Sequence, residues 1–245
     1  MNQVIQIDFK KERVLRQNKN NKKVLQALIN NDLDNCNFIN IKELNRVILE
    51  LQDNLDESYT KEKLLRKCST NKESATLLAG RISKRSNRQG NKDETTQLEV
   101  CNKIAQKYNI IIEQLNNNAM RALKNNNRII SSEELKEEKI DIHDCLKSFD
   151  AEITGRLEGY FFAKVVIGGG GHQDNVFREA MELGEWVKNY GCDIEKLFVI
   201  LIDTDNINKP KFEILKKKFH DVKNIIVVNH VEFQEYLIQK YNDNI

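Results

Sequence analysis

The chain has 245 residues, of which 39 are Lys or Arg and 37 are Asp or Glu, giving a net charge of +2 near neutrality. That length supports one large domain, or a catalytic domain with a helical companion. So even a charge balance excludes attraction to a polyanion through the whole-molecule field and leaves it to local clustering. No charge-free apolar run has the length of a membrane helix, so a soluble, cytoplasmic protein is expected. The five cysteines, Cys36, Cys68, Cys101, Cys145 and Cys192, form no CxxC pair and have no histidine at zinc-ligand spacing. Reduced, structural thiols are expected.

Between about residues 20 and 125, apolar residues recur at spacings of three and four. Leu25, Leu28, Ile29 and Leu33 form one such set, Leu44, Val47, Ile48 and Leu51 a second, and Ile104, Tyr108, Ile111 and Leu115 a third. The spacing predicts a mainly helical region over 1–139. Within it, RISKRSNRQGNK (81–92) gathers Arg81, Lys84, Arg85, Arg88 and Lys92 with no acid among them. Arg, Asn and Gln pair with base edges, and Lys contacts phosphate. Arg81, Lys84, Arg85, Asn87, Arg88 and Gln89 are therefore candidate DNA contacts, the alternative being an ordinary solvated charge cluster. SSEELKEEK (131–139) reads as a helix or linker.

From Ile140 the pattern changes to short apolar runs: CLKSFDAEIT, YFFAKVVI, LFVILID and NIIVVN, each a candidate strand. Between the second and third, NVFREAMELGEWVKNYG places Val176, Ala180, Leu183 and Val187 on one helical face and stops at Gly191. Further helices are expected after Pro210 and near Val231. Residues 140–245 thus read as an α/β unit opened by a hairpin that turns at Gly155 to Gly159. The fold class expected is α/β (α+β), a mixed sheet flanked by helices with a mainly helical N-terminal region.

Lys164 lies inside the apolar strand FFAKVVI, on the face of Phe162 and Val166. Asp150, 14 residues earlier on the preceding strand, is placed to meet it across the hairpin, with Glu152 as a spare acid two residues on. An ordinary cross-strand ion pair is one reading; half of a metal site is the other. Downstream, GGGGHQDNVF (168–177) joins this strand to the helix. Its glycines allow close backbone approach to a polyanion, and His172, Gln173 and Asn175 add donors at a helix N-terminus. A plain strand-to-helix turn capped by Asp174 would need no ligand. The pattern GxxxxGK[ST] of a nucleotide-binding loop is not met.

Over roughly residues 140–205 the chain resembles the PD-(D/E)XK nucleases, which include most type II restriction endonucleases. That family has a hairpin carrying an acid, a strand with an acid two residues before a lysine, then a helix and a buried strand. Asp150 and Lys164 match; position 162, where the second acid is expected, holds Phe162, and Phe149 stands where the family signature has proline. Some restriction enzymes supply the missing acid from the following helix, which here nominates Glu179, with Glu182 one turn later as second choice. The resemblance implies a restriction-endonuclease-like sheet and a Mg2+ ion held by Asp150, Glu179 and the carbonyl of Val165. It implies Lys164 orienting the attacking water or stabilising developing charge. It also implies double-stranded DNA as substrate, a homodimer matching two-fold symmetric sites, and a separately encoded DNA methyltransferase. Two rival readings remain open. One is a non-catalytic DNA-binding protein whose Phe162 records a lost acid; the other is an Asp-x-Asp, Toprim-like site at Asp203 and Asp205.

Overall fold

The computed structural model of the chain describes residues 3–85, 92–116, 119–169 and 171–242. The chain divides into two compact units, one of Asp8–Gly90 and one of Met1–Ile7 with Asn91–Ile245. The first is helical, as its spacing of apolar residues requires: α1 (Phe9–Ile29), α2 (Ile41–Asn54), α3 (Lys61–Thr70) and α4 (Lys72–Ile82). Each helix begins at a residue whose side-chain oxygen accepts an orphan N–H of the first turn: Asp8, Asn40, Thr60 and Asn71. Val24, Leu28, Leu44, Ala75, Leu78 and Ile82 close the core between them.

The second unit is mixed α+β. In chain order it contains α5 (Lys92–Ala105), β1 (Ile110–Gln114), β2 (Met120–Ala122), β3 (Ile129–Ser131) and α6 (Ser132–Glu137). There follow β4 (Ala151–Gly155), β5 (Gly159–Val166), α7 (Gly171–Trp186), β6 (Leu197–Thr204), α8 (Lys209–Phe219), β7 (Ile225–Val228) and α9 (His230–Asn242). Five strands form one sheet in the order β1-β4-β5-β6-β7, antiparallel from β1 to β5 and parallel from β5 to β7; β2 and β3 form a separate hairpin. Strand alternation sends Phe161, Ala163, Val199 and Leu201 to the α5 and α9 face, where they meet Phe233 and Leu237. The opposite set, Tyr160, Phe162, Phe198 and Ile200, packs against Ala180 and Leu183 of α7 and Phe212 of α8. Burial on both faces is why β5 and β6 read as nearly continuous apolar runs. Among the described residues no helix is long and apolar enough to cross a membrane.

Three expectations need correction. The boundary falls at residue 90 and not at 139, because β1 belongs to the sheet and α5 packs on it: β1 pairs along its whole length with β4, Ile112 opposite Ile153. Ile111 lies in that strand and Leu115 immediately follows it, so neither continues a helical face. Asn109 takes a left-handed backbone (φ 59) that ends the helix, and the β-branched run Ile110–Ile112 then favours an extended chain. The first expected strand, CLKSFDAEIT, is ordered as a strand only from Ala151. The segment SSEELKEEK does contain a helix, α6, held by a reciprocal capping box between Ser131 and Glu134.

Gly159 opens β5 directly against β6; a Cβ there would stand 1.9 Å from the Leu197 carbonyl oxygen. Because that obstacle is backbone, Gly159→Ala must push two central strands apart. A loss of about 1–3 kcal/mol is expected for overpacking of this kind, read as a lower urea midpoint; an unchanged midpoint would show that the strands slide apart freely.

Candidate active site

The site is set where β4 stops and β5 continues. Asp150 precedes the first residue of β4 and is fixed by its own backbone: its N–H donates to the Phe161 carbonyl (2.8 Å), and its carbonyl accepts from Leu115 N (2.9 Å). Its carboxylate then takes over the role of a neighbouring strand, Oδ2 accepting the backbone N–H of Ala163 at 2.8 Å and Oδ1 accepting Lys164 Nζ at 2.7 Å. The sheet splays there, and the expected meeting of Asp150 with Lys164 is observed. The Lys164 side chain is only 14% exposed, and its stem passes the buried Phe162 ring, with Nζ 5.3 Å from the ring centre.

A second carboxylate reaches the same ammonium. Glu94 Oε2, on the first turn of α5, lies 3.5 Å from Lys164 Nζ. Burial pushes the Glu94 carboxyl above its usual range; Lys164 opposes that shift, while the negative charges of Asp150 and Asp93 add to it. Two acids, Asp150 and Glu94, thus meet one lysine. Phe162 is 1% exposed in the core, and the second acid that meets Lys164 comes from the helix before the sheet. Glu179 is half-buried on α7, and among the described residues no hydrogen bond or ion pair joins it to Asp150 or Lys164. Glu182 is exposed and lies 3.9 Å from Arg178. Glu152 is held by Tyr160, whose hydroxyl is pushed up to about 12 by burial first and by the Glu152 charge and hydrogen bond after it. Nothing in the sequence marked Glu94: acids in a first helical turn are ordinary partners of the helix dipole. The carbonyl of Phe161 points toward β4, so strand alternation turns that of Val165, four residues on, to the same edge, beyond the end of β4.

A buried polar chain fixes α5 against this strand. Gln97, one turn after Glu94, donates from Nε2 to Asp203 Oδ2 at 2.6 Å and more weakly to the Lys164 carbonyl at 3.4 Å. Asp203 Oδ1 meets His230 Nδ1 at 2.6 Å, and His230 Nε2 accepts the N–H of Ile7 at 3.0 Å. That acceptor role places the ring proton on Nδ1, donated to Asp203. Asp205 is equally committed. It accepts from Gly168 N and from both the backbone and side chain of Asn208, and although burial works to raise its pKa these bonds leave it lowered. Asp203 and Asp205 are thus engaged in holding helices and the glycine loop, each of their oxygens accepting at least one hydrogen bond. Among the described residues no group of three or more His, Cys, Asp or Glu forms a ready metal cage.

The glycine segment is pinned at Gly168, whose carbonyl also accepts Asn208 Nδ2 at 2.7 Å. His172, Gln173 and Asn175 fall in the first turn of α7, and Asp174 pairs with Lys211 of α8 and so does not act as the helix cap. In the helical unit, Arg81 is not available as a base reader: its guanidinium grips Glu50 through Nη2 and Glu43 through Nε. Lys84 donates from Nζ to the Asn37 carbonyl, and Arg85 is exposed. Asn87, Arg88 and Gln89 lie outside the described residues.

No family model, no curated protein and no solved structure matches the chain.

A raised carboxyl carries a direct consequence for stability. Below its ordinary value of 4.5 Glu94 is neutral in both folded and unfolded chains. Above that value the unfolded chain ionises more readily, and a penalty on the fold grows until Glu94 is ionised in both states. Glu94→Gln is expected to raise Tm at pH 7–8, by about 2–4 °C per kcal/mol relieved in a domain of this size, with the gain vanishing near pH 4. A variant less stable than the parent at pH 8 would mean that the Lys164 pairing outweighs the burial.

Proposed function

We propose that the chain is a Mg2+-dependent endonuclease acting on double-stranded DNA, a sequence-specific type II restriction enzyme of PD-(D/E)XK character. The reading rests on one observation above all: Asp150 and Glu94, from different elements, converge on the Lys164 ammonium where β4 and β5 part. The strand order supports it, with an acid-bearing hairpin, a lysine strand, a helix and a buried parallel strand in succession, α5 standing before them.

The donor set fits a hard divalent ion. Two carboxylates and a strand carbonyl at one edge are oxygen ligands of the type Mg2+ accepts while keeping several waters. Carboxylates outnumber the single lysine, and the Glu94 carboxyl, raised first by burial and further by the charges of Asp150 and Asp93, is one that a bound cation would hold ionised. Asp150, Glu94 and the Val165 carbonyl would hold the ion, with Glu94 in the role first given to Glu179. When bound, Mg2+ supplies charge neutralisation at the scissile phosphate and a nucleophile at neutral pH. Lys164, held to Asp150, donates a proton-bearing nitrogen toward the same space, where it can orient the attacking water and meet charge developing on the phosphate oxygens. Two such sites, one from each subunit of a homodimer, would cut both strands, and a companion methyltransferase would protect host DNA. A cytoplasmic location follows from that role.

One observation favours a different reading: Phe162 in place of the strand acid, with Lys164 already paired, suits a DNA-binding protein that does not cut. Incubation of unmethylated phage DNA with protein, in Mg2+ and in EDTA, separates the two. The nuclease reading expects discrete, metal-dependent fragments that Asp150→Ala abolishes. It expects Glu94→Gln to slow cutting at least about 100-fold, beyond the cost of an outer-shell partner, and Glu179→Gln to leave cutting nearly intact. DNA shifted in a gel but never cut would establish the binding-protein reading.

A further inference from the structure

The even charge balance of the whole chain conceals a division between its units. Residues 8–90 contain 18 Lys and Arg against 11 Asp and Glu, a net +7, which leaves −5 on the remainder of a chain of net +2. Charge asymmetry of this kind points to a polyanionic partner for the basic part. Within the helical unit the acids are not evenly shared. Asp34 pairs with Lys61, Asp56 with Lys63, and Glu43 and Glu50 with Arg46 and Arg81. Lys11, Lys19, Lys22 and Lys23 of α1 are exposed, and among the described residues no carboxylate lies within ion-pairing distance of them.

Their placement is continuous with Lys84 and Arg85. Asn20, buried on the inner side of α1, donates to the Lys84 carbonyl at 3.1 Å. Lys23 sits 4.1 Å over the Phe38 ring, and the Phe38 carbonyl accepts Lys84 N at 2.7 Å. Lys11 and Lys22, three turns apart, lie on the side of α1 opposite the buried Asn20, Val24 and Leu28.

We infer that the outer face of α1, from Lys11 to Lys23 and continuing onto Lys84 and Arg85, binds the phosphate backbone of duplex DNA without reading sequence. The inference deepens the nuclease reading and rests on it for the choice of duplex DNA. The helix is about 31 Å long at 1.5 Å per residue, comparable to the roughly 34 Å of one DNA turn. A membrane surface fits less well, since the apolar side of α1 is spent on the core and only Val14, Leu15 and Ile29 are exposed.

The test measures binding of the full chain to a labelled 30-base-pair duplex by fluorescence anisotropy in EDTA, across 50–200 mM KCl. Replacing Lys11, Lys19, Lys22 and Lys23 with Gln is expected to flatten the slope of log affinity against log salt by about 0.9 for each lost phosphate contact. The control, Lys61→Gln with Lys63→Gln, removes paired lysines and is expected to change the slope little; circular dichroism checks that both variants fold. An unchanged slope in the fourfold variant, or lysine-dependent binding to phosphatidylserine vesicles with none to duplex, overturns the inference. Cleavage with an unchanged slope would sink the α1 surface and leave the nuclease reading standing. A flattened slope with no Mg2+-dependent cutting would do the reverse.

Discussion

The second unit depends on how one strand ends. A β-strand that stops short leaves its neighbour with unpaired backbone donors inside the fold, and these must be satisfied. At the end of β4 the Asp150 carboxylate supplies the acceptor, taking Ala163 N on one oxygen and Lys164 Nζ on the other. Closing the ladder with a charged side chain in place of backbone brings a carboxylate, an ammonium and a turned-out carbonyl to one edge. Glu94 arrives there because Gln97, one turn on, is bonded to Asp203 in the sheet. Structural satisfaction and chemical readiness are therefore the same set of bonds. Removing either partner of the Asp150–Lys164 pair would leave a largely buried charge behind, which costs more than an exposed pair is worth.

The fold was legible in the sequence where apolar periodicity is strong. The four C-terminal strands and three helices follow their apolar runs, because burial on both sheet faces or on one helical stripe leaves a direct trace in residue order. Ile110–Gln114 was not legible as a strand, since Ile104, Tyr108 and Ile111 also satisfy helical spacing and the decisive feature is the left-handed Asn109. Of the site, Asp150 and Lys164 could be found because they are polar residues in apolar strands. Glu94 could not, for it sits among ordinary charges at a helix start, and only the packing of α5 on the sheet brings it to Lys164. Arg81 shows the opposite failure: concentrated positive charge suggested a free contact, yet the acids that hold Arg81 stand 31 and 38 residues away in sequence.

The two units divide the electrostatic work. One carries the surplus of positive charge; the other concentrates buried carboxylates, with Glu94 held above its ordinary range. Such a division confines the positive field to one part of the chain, while the charges of the other are largely turned against one another inside its fold.

Residues 3–7, which precede the helical unit, belong with its companion and are tied to the far end of the chain: Ile5 exchanges two hydrogen bonds with Gln234, 229 positions later. Local helical contacts in residues 8–90 can form as soon as that segment leaves the ribosome, whereas the companion's first strap must wait for its last helix. Bonds of such sequence separation are slow to close, so synthesis delivers a finished basic unit well before the acid cluster is assembled. A nascent chain built in this order would present its surplus of positive charge before its buried carboxylates had been gathered.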